Sequence, residues 1–397
     1  MDWINLLVFV LLSAGNAELM VILMNRLYAL PFRCGTLRHV RHLHDLLIPG
    51  FPVLLVWGLG LRGPELLMGG SWSDVPIGWS IYLGLCSGGI LSLFLSIVRH
   101  LSRRTPAALQ SNHTSIVDVA ADLGRLPVGD GPFRWLTRLP GNQIFEISVA
   151  TKDLTLPGLP KECDGLSILH LSDWHFIGTI DLPYFERASQ LAAELKADMV
   201  VFTGDLLDRQ DLSAWISATL GRLTAPLGCF FVLGNHDWYL DHAATATALE
   251  RHGWVDVTGR VAVGTHRGRK IQIGGTSSPW IGEHPEFPSA DCEPPPEGAL
   301  RLLLSHTPDH LRWASLHDVD LMLAGHNHGG QVVLPLIGPV YSPSLSGCRF
   351  AGGLFQRAPT VLHVSRGLSG RHPLRINCRP EITRIVLHAP ESDPTRG

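Results

Sequence analysis

Residues 76–98 form a run of 23 positions without a charged side chain. A helix needs about 20 apolar residues to cross the hydrocarbon core of a bilayer, so this run is long enough to span one. The basic residues Arg99, Arg103 and Arg104 follow it, as is typical of the cytoplasmic end of a span. The run therefore predicts a membrane-spanning helix in the first quarter of the chain.

Two further apolar segments precede this run. Residues 3–25 are apolar apart from three asparagines and Glu18, and residues 46–61 are apolar but contain two prolines, which bend a helix. We therefore expect a transmembrane helical region of about three spans over residues 1–100. A cleaved signal peptide is the alternative for the first segment, but no Lys or Arg precedes its apolar core.

Basic residues are concentrated in the loop after the first segment. Residues 26–45 contain four arginines before their first acidic residue, Asp45, whereas the loop between the second and third segments carries one arginine against two acidic residues. The positive-inside rule then places the 26–45 loop and everything after Arg99 in the cytoplasm. The predicted location is the cell membrane, multi-pass, with the larger remaining part of the chain in the cytoplasm.

Composition narrows the class of protein. Apolar residues make up 45% of the chain and charged residues 17%. This excludes a disordered protein, because such chains lack the apolar surface that offsets ordering entropy. The net charge of -3 gives no reason to expect a nucleic-acid partner. We interpret residues 101–143, rich in Pro, Gly and Arg, as a linker, residues 144–390 as a folded domain and residues 391–397 as a C-terminal tail.

Short apolar runs alternate with helix-like stretches from about residue 144 onward. Buried strands read as continuous apolar runs, and their alternation with helices indicates an α/β layered sheet. The predicted strands are 166–171, 199–203, 229–233, 300–304, 320–324 and 360–364, and the predicted helices are 183–196, 211–222 and 241–252.

Five of these runs are followed, after one intervening residue, by Asp, His or Asn, the side chains that bind borderline and hard divalent cations. Ligands in open α/β sheets gather at the carboxyl ends of strands, and in extended chain residues two apart project to the same side. Glycines at 204, 234 and 325 precede these residues and permit close backbone approach. The residues concerned are Asp173, His175, Asp205, Asp208, Asn235, His236, Asp237, His306, His326 and His328.

The ordered motifs D-x-H, G-D-x-x-D, G-N-H-D, a later His and G-H-x-H resemble those of the calcineurin-like metallophosphoesterase family. The resemblance covers roughly residues 144–390, and the extended GHNHGGQ at 325–331 most resembles the membrane-tethered bacterial members. It implies an α/β fold, a four-layer α/β/β/α sandwich, preceded here by the transmembrane helical region. It also implies a two-metal site at one edge of the sandwich.

The resemblance further implies a role for each side chain. The implied ligands of one divalent metal ion are Asp173, His175 and His328, and those of the second are Asn235, His306 and His326, with Asp205 bridging both. His236 would donate a proton or bind phosphate, and Asp237 would orient it. Asp208 is expected to orient its own turn or a ligand histidine. Mixed nitrogen and oxygen ligands suit Mn, Fe, Zn or Co.

A pair of divalent cations clamps the attacking and leaving oxygens of an in-line displacement and lowers the pKa of a bound water. We therefore expect a membrane-anchored dinuclear-metal phosphohydrolase that cleaves phosphoester or diphosphate bonds by metal-activated water. The expected partner is a phosphorylated small molecule or a lipid-linked substrate at the membrane, and Arg209 and Arg366 are further candidates for phosphate contacts. The alternative is a catalytically silent scaffold or receptor with the same fold; loss of ligand residues would mark it, but every ligand position is filled.

Overall fold

The computed structural model describes residues 1–287 and 299–390. Over these residues the α-helices are α1 (Trp3–Tyr28), α2 (Cys34–Leu55), α3 (Ile77–Leu101), α4 (Val119–Leu123), α5 (Leu182–Glu194), α6 (Asn235–Trp238), α7 (His242–Glu250) and α8 (Leu311–Leu316). The strands are β1 (Leu109–Asp118), β2 (Glu146–Thr155), β3 (Ser167–Leu171), β4 (Met199–Thr203), β5 (Cys229–Val232), β6 (Trp254–Asp256), β7 (Val261–His266), β8 (Arg269–Thr276), β9 (Leu300–Ser305), β10 (Leu321–Ala324), β11 (Val333–Leu334), β12 (Gly338–Pro339), β13 (Gly353–Arg357), β14 (Thr360–Val364) and β15 (Glu381–His388). The expected C-terminal tail, 391–397, lies outside the described residues.

The chain divides into two compact units. The helical unit comprises Met1–Arg103 and Pro335–Arg349, and the sandwich unit comprises Arg104–Leu334 and Phe350–Gly397. The chain therefore leaves the sandwich unit after residue 334, contributes a short segment to the helical unit and returns at residue 350.

The helical unit contains the three apolar segments that the sequence predicts. The stretches Trp3–Tyr28, Gly35–Leu61 and Ile77–Leu101 are helices long and apolar enough to cross a membrane. The second continues α2 through the π-helical turn Val56–Leu61, just beyond the two prolines inside α2. A proline removes a backbone donor and pushes on the preceding turn, so it disturbs the regular ladder of hydrogen bonds there.

Small residues bring α1 and α3 close together within the helical unit. A Cβ atom added to Gly15 would collide with the carbonyl group of Cys86, and one added to Gly89 would collide with the carbonyl group of Gly15. The hydroxyl of Tyr82 donates a hydrogen bond across the same pair of helices to Asn16 Oδ1, at 2.6 Å. Small residues and buried amides at helix contacts are typical of helix packing in membranes.

Residues 335–349 pack against the helices of the helical unit. The backbone N–H of Ser342 donates to Asn25 Oδ1 at 3.1 Å, near the end of α1. A Cβ atom added to Gly338 would lie 2.6 Å from His100 Nδ1, near the end of α3. The segment therefore lies at the C-terminal ends of α1 and α3.

Two sheets form the centre of the sandwich unit. The first has the strand order β1-β2-β15-β3-β4-β5-β6, and the second has the order β13-β14-β10-β9-β8-β7. Strands β3 to β6 are parallel in the first sheet, and β8, β9, β10 and β14 are parallel in the second. Because the carboxyl ends of parallel neighbours meet at one edge, the loops that follow these strands lie close together.

Apolar clusters separate the layers of the sandwich unit. Side chains of both sheets, including Ile168 and Leu302, fill the space between the sheets. The outer face of the first sheet packs against α5 through Phe202 and Phe185, and that of the second packs against α8 through Leu311. This arrangement confirms the expected four-layer α/β/β/α sandwich.

The six predicted strands lie within one residue of the observed bounds at either end. The predicted helix at 211–222 instead forms two 3₁₀ segments, Gln210–Ala218 and Leu220–Arg222. The range 101–143, interpreted from its composition as a linker, contains α4 and the edge strand β1, which pairs antiparallel with β2. Strand β1 is mostly exposed, so it lacks the apolar run that marks the buried strands.

Candidate metal centre

The loops after β3, β4, β9 and β10 bring acidic and histidine side chains to one place. The structure forms two groups whose ligand atoms lie within 4.8 Å of one another: Asp173, His175, Asp205 and His328 in the first, and Asp205, His306 and His326 in the second. Asp205 belongs to both groups. Asn235, which follows β5, places its Oδ1 atom 3.0 Å from His306 Nε2. All seven residues for which a ligand role is expected therefore lie together.

Three of the histidines are held so that Nε2 faces the centre. The Nδ1 partners are Asp208 Oδ2 for His175 at 2.8 Å, the Thr203 carbonyl for His306 at 2.8 Å and the Ser369 carbonyl for His328 at 3.1 Å. An acceptor at Nδ1 fixes the proton on that atom and leaves the lone pair of Nε2 available to a cation. Proteins commonly orient histidine ligands in this way.

The donor atoms of the centre fit a divalent metal ion. The Nε2 atom of His175 is buried without a hydrogen-bond partner and lies 3.5 Å from Asp205 Oδ2. His306 Nε2 lies 3.1 Å from His326 Nδ1, so two ring nitrogens approach the same point. Imidazole nitrogens combined with carboxylate oxygens suit borderline cations such as Mn, Fe, Co or Zn. A cation bound here would accept the lone pairs of these ring nitrogens and carboxylate oxygens, which otherwise point toward one another.

Five of the expected ligands have a left-handed backbone. The φ angles are 53° at Asp173, 48° at His175, 57° at Asp205, 70° at His326 and 50° at His328. Residues with a Cβ rarely adopt this region, and each such residue costs of order 1–3 kcal/mol. Strain of this kind persists only where the surrounding structure enforces it, so its concentration here indicates a functional site.

Glycines permit the close backbone approach that the centre requires. Gly204 has a φ of 95°, and a Cβ atom added there would lie 2.6 Å from His306 Nδ1. A Cβ atom added to Gly325 would collide with the side chains of Ser172 and Asp173. Neither position has room for a larger residue, which agrees with the role expected for these glycines.

His236 lies at the rim of the centre, where its side chain is 22% exposed. Its Nδ1 atom is 2.6 Å from Asp208 Oδ1, and the other carboxylate oxygen of Asp208 contacts His175 Nδ1. Asp208 therefore connects the histidine at the rim to a histidine inside the centre, and it leaves Nε2 of His236 available to a bound molecule.

Asp237 does not have the orienting role that the resemblance implies. Its carboxylate accepts hydrogen bonds from the backbone N–H groups of Leu206, Leu207 and Gly234, and thereby ties the loop after β4 to the loop after β5. The side chain that orients His236 is Asp208. The G-N-H-D motif places Asp237 next to His236 in sequence, but in α6 adjacent residues project in different directions.

Burial and neighbouring charges shift the pKa values of His236 and Asp208 in opposite directions. Burial lowers the pKa of His236, but the carboxylates of Asp208 and Asp205 outweigh it and raise this pKa to about 10. Burial raises the pKa of Asp208, but His236 and His175 hold it well below its usual range. A protonated His236 beside an ionised Asp208 has the proton that a leaving oxygen requires.

The arginines that could contact a substrate phosphate differ in whether they already have an acidic partner. Arg366 forms an ion pair with the buried Glu381, at 2.7 Å, and Arg209 pairs with Asp211, so both candidates for phosphate contacts already have acidic partners. Arg371 is exposed, and its positive charge reaches His236 and opposes the rise in that pKa. No motif in the sequence points to Arg371, because it lies in a loop outside the five ligand-bearing turns.

Comparison with known proteins shows which family has a sequence like this one. The model of the calcineurin-like phosphoesterase family matches residues 166–330. Over 235 residues the chain is 32% identical to the uncharacterized metallophosphoesterase YkuE of Bacillus subtilis (strain 168), which covers 58% of this chain and 81% of that protein. The chain belongs to the calcineurin-like phosphoesterase family.

Two further relatives have named activities. The chain is 31% identical over 229 residues to the phosphodiesterase YaeI of Escherichia coli (strain K12), covering 55% of this chain and 81% of that protein. It is 25% identical over 307 residues to the UDP-2,3-diacylglucosamine pyrophosphatase LpxG of Chlamydia muridarum (strain MoPn / Nigg), covering 62% and 90%. The protein is thus a metal-dependent hydrolase that acts on phosphoester bonds, and its apolar N-terminal helices associate it with a membrane.

Proposed function

We propose that this protein is a membrane-anchored, dinuclear-metal phosphohydrolase that acts on a lipid-linked phosphate or diphosphate. The observation that carries the proposal is the sharing of Asp205 between two groups of ligand atoms, because one carboxylate between two groups is the arrangement a metal pair needs. The three apolar helices support the membrane anchor, with the sandwich unit in the cytoplasm according to the positive-inside rule.

Each expected ligand has a place in this proposal. Asp173, His175 and His328 would hold one divalent ion and Asn235, His306 and His326 the other, with Asp205 shared between the two groups. When bound, the two ions supply Lewis acidity toward the phosphoryl group and make water a stronger nucleophile near neutral pH. Two carboxylates do not cancel the charge of two divalent ions, so the site attracts a phosphate anion.

The protein's own acid is His236. Asp208 holds its Nδ1–H, at 2.6 Å, so the proton available to a substrate is on Nε2 at the exposed side of the ring. Donation of that proton to the leaving oxygen avoids the release of an unprotonated alkoxide or phosphate. General acid catalysis of this kind contributes about 10²–10⁴-fold in rate. Arg371 provides a positive charge at the same rim, where a second phosphate group would lie.

The lipid-linked class of substrate is supported by two observations. The helical unit provides three apolar helices, which hold the enzyme at a bilayer where lipid-linked phosphates are concentrated. The relative LpxG is a pyrophosphatase of a diacylated sugar nucleotide according to its name. A soluble nucleotide substrate fits the same ligands and is the principal alternative outcome of the test.

The test uses the full-length protein purified in detergent and loaded with Mn²⁺. We expect hydrolysis of bis(p-nitrophenyl) phosphate that Asp205→Ala abolishes, and hydrolysis of an alkyl phosphodiester that His236→Ala lowers by about 10²–10⁴-fold, because an alkoxide needs a proton to leave whereas p-nitrophenolate does not. Asp211→Ala is the matched control, because it removes an exposed carboxylate whose side-chain partner is Arg209. A wild type whose metal-stimulated turnover does not exceed that of Asp205→Ala would contradict the enzyme assignment and favour a scaffold or receptor.

The substrate class is tested with the same preparation. Initial rates are compared for a lipid-linked sugar nucleotide diphosphate, a phospholipid in mixed micelles and a cyclic nucleotide. We expect kcat/KM to be highest for the lipid-linked diphosphate. Equal or higher kcat/KM for the soluble nucleotide would overturn the lipid assignment and leave the phosphohydrolase in place.

A further inference from the structure

Residues 332–348 contain no charged side chain, and apolar residues within this stretch are exposed at the surface. Leu336 is 72% exposed and Leu345 is 50% exposed, and further exposed apolar side chains are Ile337, Val340 and Tyr341. Three prolines in this stretch prevent a regular helix. Exposed apolar side chains grouped in this way mark contact with another apolar phase or partner.

The position of this segment in the helical unit indicates which phase it contacts. It lies at the C-terminal ends of α1 and α3, where the ring of Tyr341 packs edge-on against that of Tyr28 with 6.4 Å between centroids. A short turn joins α1 to α2, so α2 begins on the same side. Exposed arginines are concentrated at these three helix ends: Arg26, Arg33, Arg38, Arg99 and Arg103.

We propose that residues 335–349 form an interfacial loop, which inserts its apolar side chains among the headgroups of the leaflet at this side of the helical unit. The loop is too short to cross a bilayer, because a helical span needs about 20 residues, so it lies in the interface. The arginines attract anionic lipids electrostatically. The partner is therefore an anionic lipid leaflet.

This inference deepens the proposed function, on which it rests. In the sequence, only residues 329–334 separate the interfacial loop from the expected ligand His328. The loop and part of the metal centre thus belong to one continuous stretch of chain, which links lipid contact to the hydrolase. Activity on a lipid-linked substrate should depend on the loop more strongly than activity on a small soluble ester.

The experiment places the photoreactive residue p-benzoylphenylalanine at position 336 of the full-length protein in vesicles of phosphatidylcholine and phosphatidylglycerol. Position 316 is the matched control, since Leu316 is a leucine of the sandwich unit that is 68% exposed, close to the 72% of Leu336. We expect lipid adducts at 336, with phosphatidylglycerol over-represented, and at least tenfold fewer at 316. Equal yields at both positions, or adducts with protein alone at 336, would overturn the inference.

A second variant separates this inference from the proposed function. Leu336→Asp puts a charge into the loop and is expected to lower kcat/KM for the lipid-linked diphosphate in vesicles at least fivefold, with turnover of the soluble aryl diester unchanged within twofold. Equal effects on both substrates would contradict the loop's role at the membrane. Loss of aryl diester hydrolysis in the wild type would instead contradict the proposed function.

An independent observation lies between the two sheets of the sandwich unit, where a line of buried polar side chains crosses an otherwise apolar interior. Its members, each at most 6% exposed, are in order Lys152, His363, His170, Thr203, Ser172 and Asp173. The successive donor–acceptor distances are 2.9, 2.8, 3.0, 2.8 and 2.6 Å. The line therefore connects a buried lysine to an expected metal ligand without a gap.

The arrangement of protons in the first half of the line follows from a charged Lys152; Glu381 favours that state, and burial, which lowers the pKa of Lys152, opposes it. An ammonium group can only donate, so Lys152 donates to Nε2 of His363, whose proton is then on Nδ1 and is donated to Nδ1 of His170. Burial lowers the pKa of both histidines, that of His363 to about 4, so both rings are neutral near pH 7. Lys152 lies 3.5 Å from Glu381, which provides the counter-charge.

The second half continues in the same direction. Because Nδ1 of His170 accepts, its Nε2–H donates to the hydroxyl of Thr203, which donates to Ser172, and Ser172 donates to Asp173 Oδ2. A hydroxyl that already accepts a hydrogen bond has fewer orientations for its own proton. Each donor thus fixes the next, and hydrogen bonds in such a chain polarise one another.

We infer that this line is a positioning device for Asp173: it holds Oδ2 on the Ser172 hydroxyl, while Oδ1, which accepts from the backbone N–H of His326 at 3.0 Å, keeps a second lone pair for the metal ion. Oδ1 is the oxygen that faces the centre, 3.7 Å from His328 Nε2. Hydrogen bonds to a ligating carboxylate typically change metal affinity 10–100-fold when they are lost. The inference rests on the proposed role of Asp173 as a ligand, and its members other than Asp173 are positioning residues.

The test measures Mn²⁺ affinity of the metal-free, full-length protein by calorimetry. Thr203→Val interrupts the line with a side chain of the same shape, and we expect at least a tenfold weaker affinity. Thr203→Ser restores the hydroxyl and should bind within about threefold of the wild type. Thr245→Val, at another buried threonine, is the matched control and should leave the affinity unchanged.

A substitution at the end of the line away from Asp173 tests whether the whole line acts on the metal ligand. His363 is separated from Asp173 by three other members of the line. We expect His363→Gln to weaken Mn²⁺ binding at least threefold. Wild-type affinity in both Thr203→Val and His363→Gln would overturn the inference, whatever their melting temperatures. If the wild type binds no metal, the proposed function fails first and the positioning role fails with it.

Discussion

The helical unit and the sandwich unit place apolar and polar side chains in opposite ways. In the helical unit large apolar residues such as Ile4 and Ile77 are 76% and 78% exposed, whereas Asn16 and Asn25 are buried. In the sandwich unit the apolar residues are inside, and the buried charges are collected around the metal centre and the line that leads to it. The first arrangement suits lipid, where exposed polar groups are costly, and the second suits water.

Both units also contain glycines that allow close approach, but for different reasons. Gly15 and Gly89 let two helix backbones touch, whereas Gly325 makes room for the side chains of Ser172 and Asp173. A substitution in the first case should change only packing, and a substitution in the second should change chemistry. The comparison therefore predicts which measurement responds in each unit.

The largest expected effect is that of Gly325→Ala in the sandwich unit. The added Cβ displaces Ser172 or Asp173, and a displacement of about 1 Å at a catalytic centre costs about 10²-fold in rate. We expect kcat/KM for an aryl phosphodiester to fall at least that far. Gly264→Ala, at a strand position with open space around it, is the control and should retain activity. Comparable activity in the two variants would contradict the geometry described for the centre.

The second prediction concerns the buried histidines of the sandwich unit under acid conditions. Burial lowers the pKa of His363 to about 4, whereas a histidine in the unfolded chain titrates near 6.5. The unfolded state therefore binds more protons between these pH values, and stability falls as the pH drops from about 6.5 to about 4. This group alone contributes about 3 kcal/mol to that fall.

The measurement is urea unfolding of the sandwich unit, followed in the full-length protein at several pH values between 7 and 4. The His363→Gln variant, which lacks the titrating ring, should show a shallower fall over the same window. An identical pH dependence in wild type and variant would contradict the assignment of a neutral, buried His363. The amides of Asn16 and Asn25 in the helical unit do not titrate, so they contribute nothing to this fall.

The smallest expected effect is in the helical unit. Gly89→Leu forces α3 away from Gly15 and should lower the free energy of unfolding of the helical unit by about 1–3 kcal/mol. Gly88→Leu is a matched control one residue away, because nothing lies within 4 Å of a Cβ atom added to Gly88. Thermal unfolding in detergent distinguishes them, and aryl phosphodiester turnover at low temperature should be unchanged in both. Equal stabilities would show that α1 and α3 do not touch at Gly15.

Features encoded by adjacent residues could be predicted from the sequence. Strand β4 was expected at 199–203 and is found at Met199–Thr203, because a short apolar run is what a strand buried on both faces requires. The side chains that follow such runs come together for a topological reason, since the carboxyl ends of parallel strands share an edge. The convergence of the seven expected ligands follows from this.

Features that depend on tertiary contacts could not be predicted. Asp208 and Asp237 are both acidic residues inside ligand-bearing motifs, and only the fold shows that Asp208 contacts His236 while Asp237 binds backbone N–H groups. The members of the buried line are scattered between Lys152 and His363, and no spacing rule connects them. Strand β1 was missed because its side chains are mostly polar and exposed.

The segment Pro335–Arg349 has a practical consequence for anyone who wishes to obtain the hydrolase free of detergent. A truncated chain that starts at residue 104 would retain this segment but lose the helices against which it packs, and side chains such as Leu336 would then promote self-association. A water-soluble enzyme therefore requires two excisions, one before residue 104 and one between residues 334 and 350, with the second gap closed by a polar bridge.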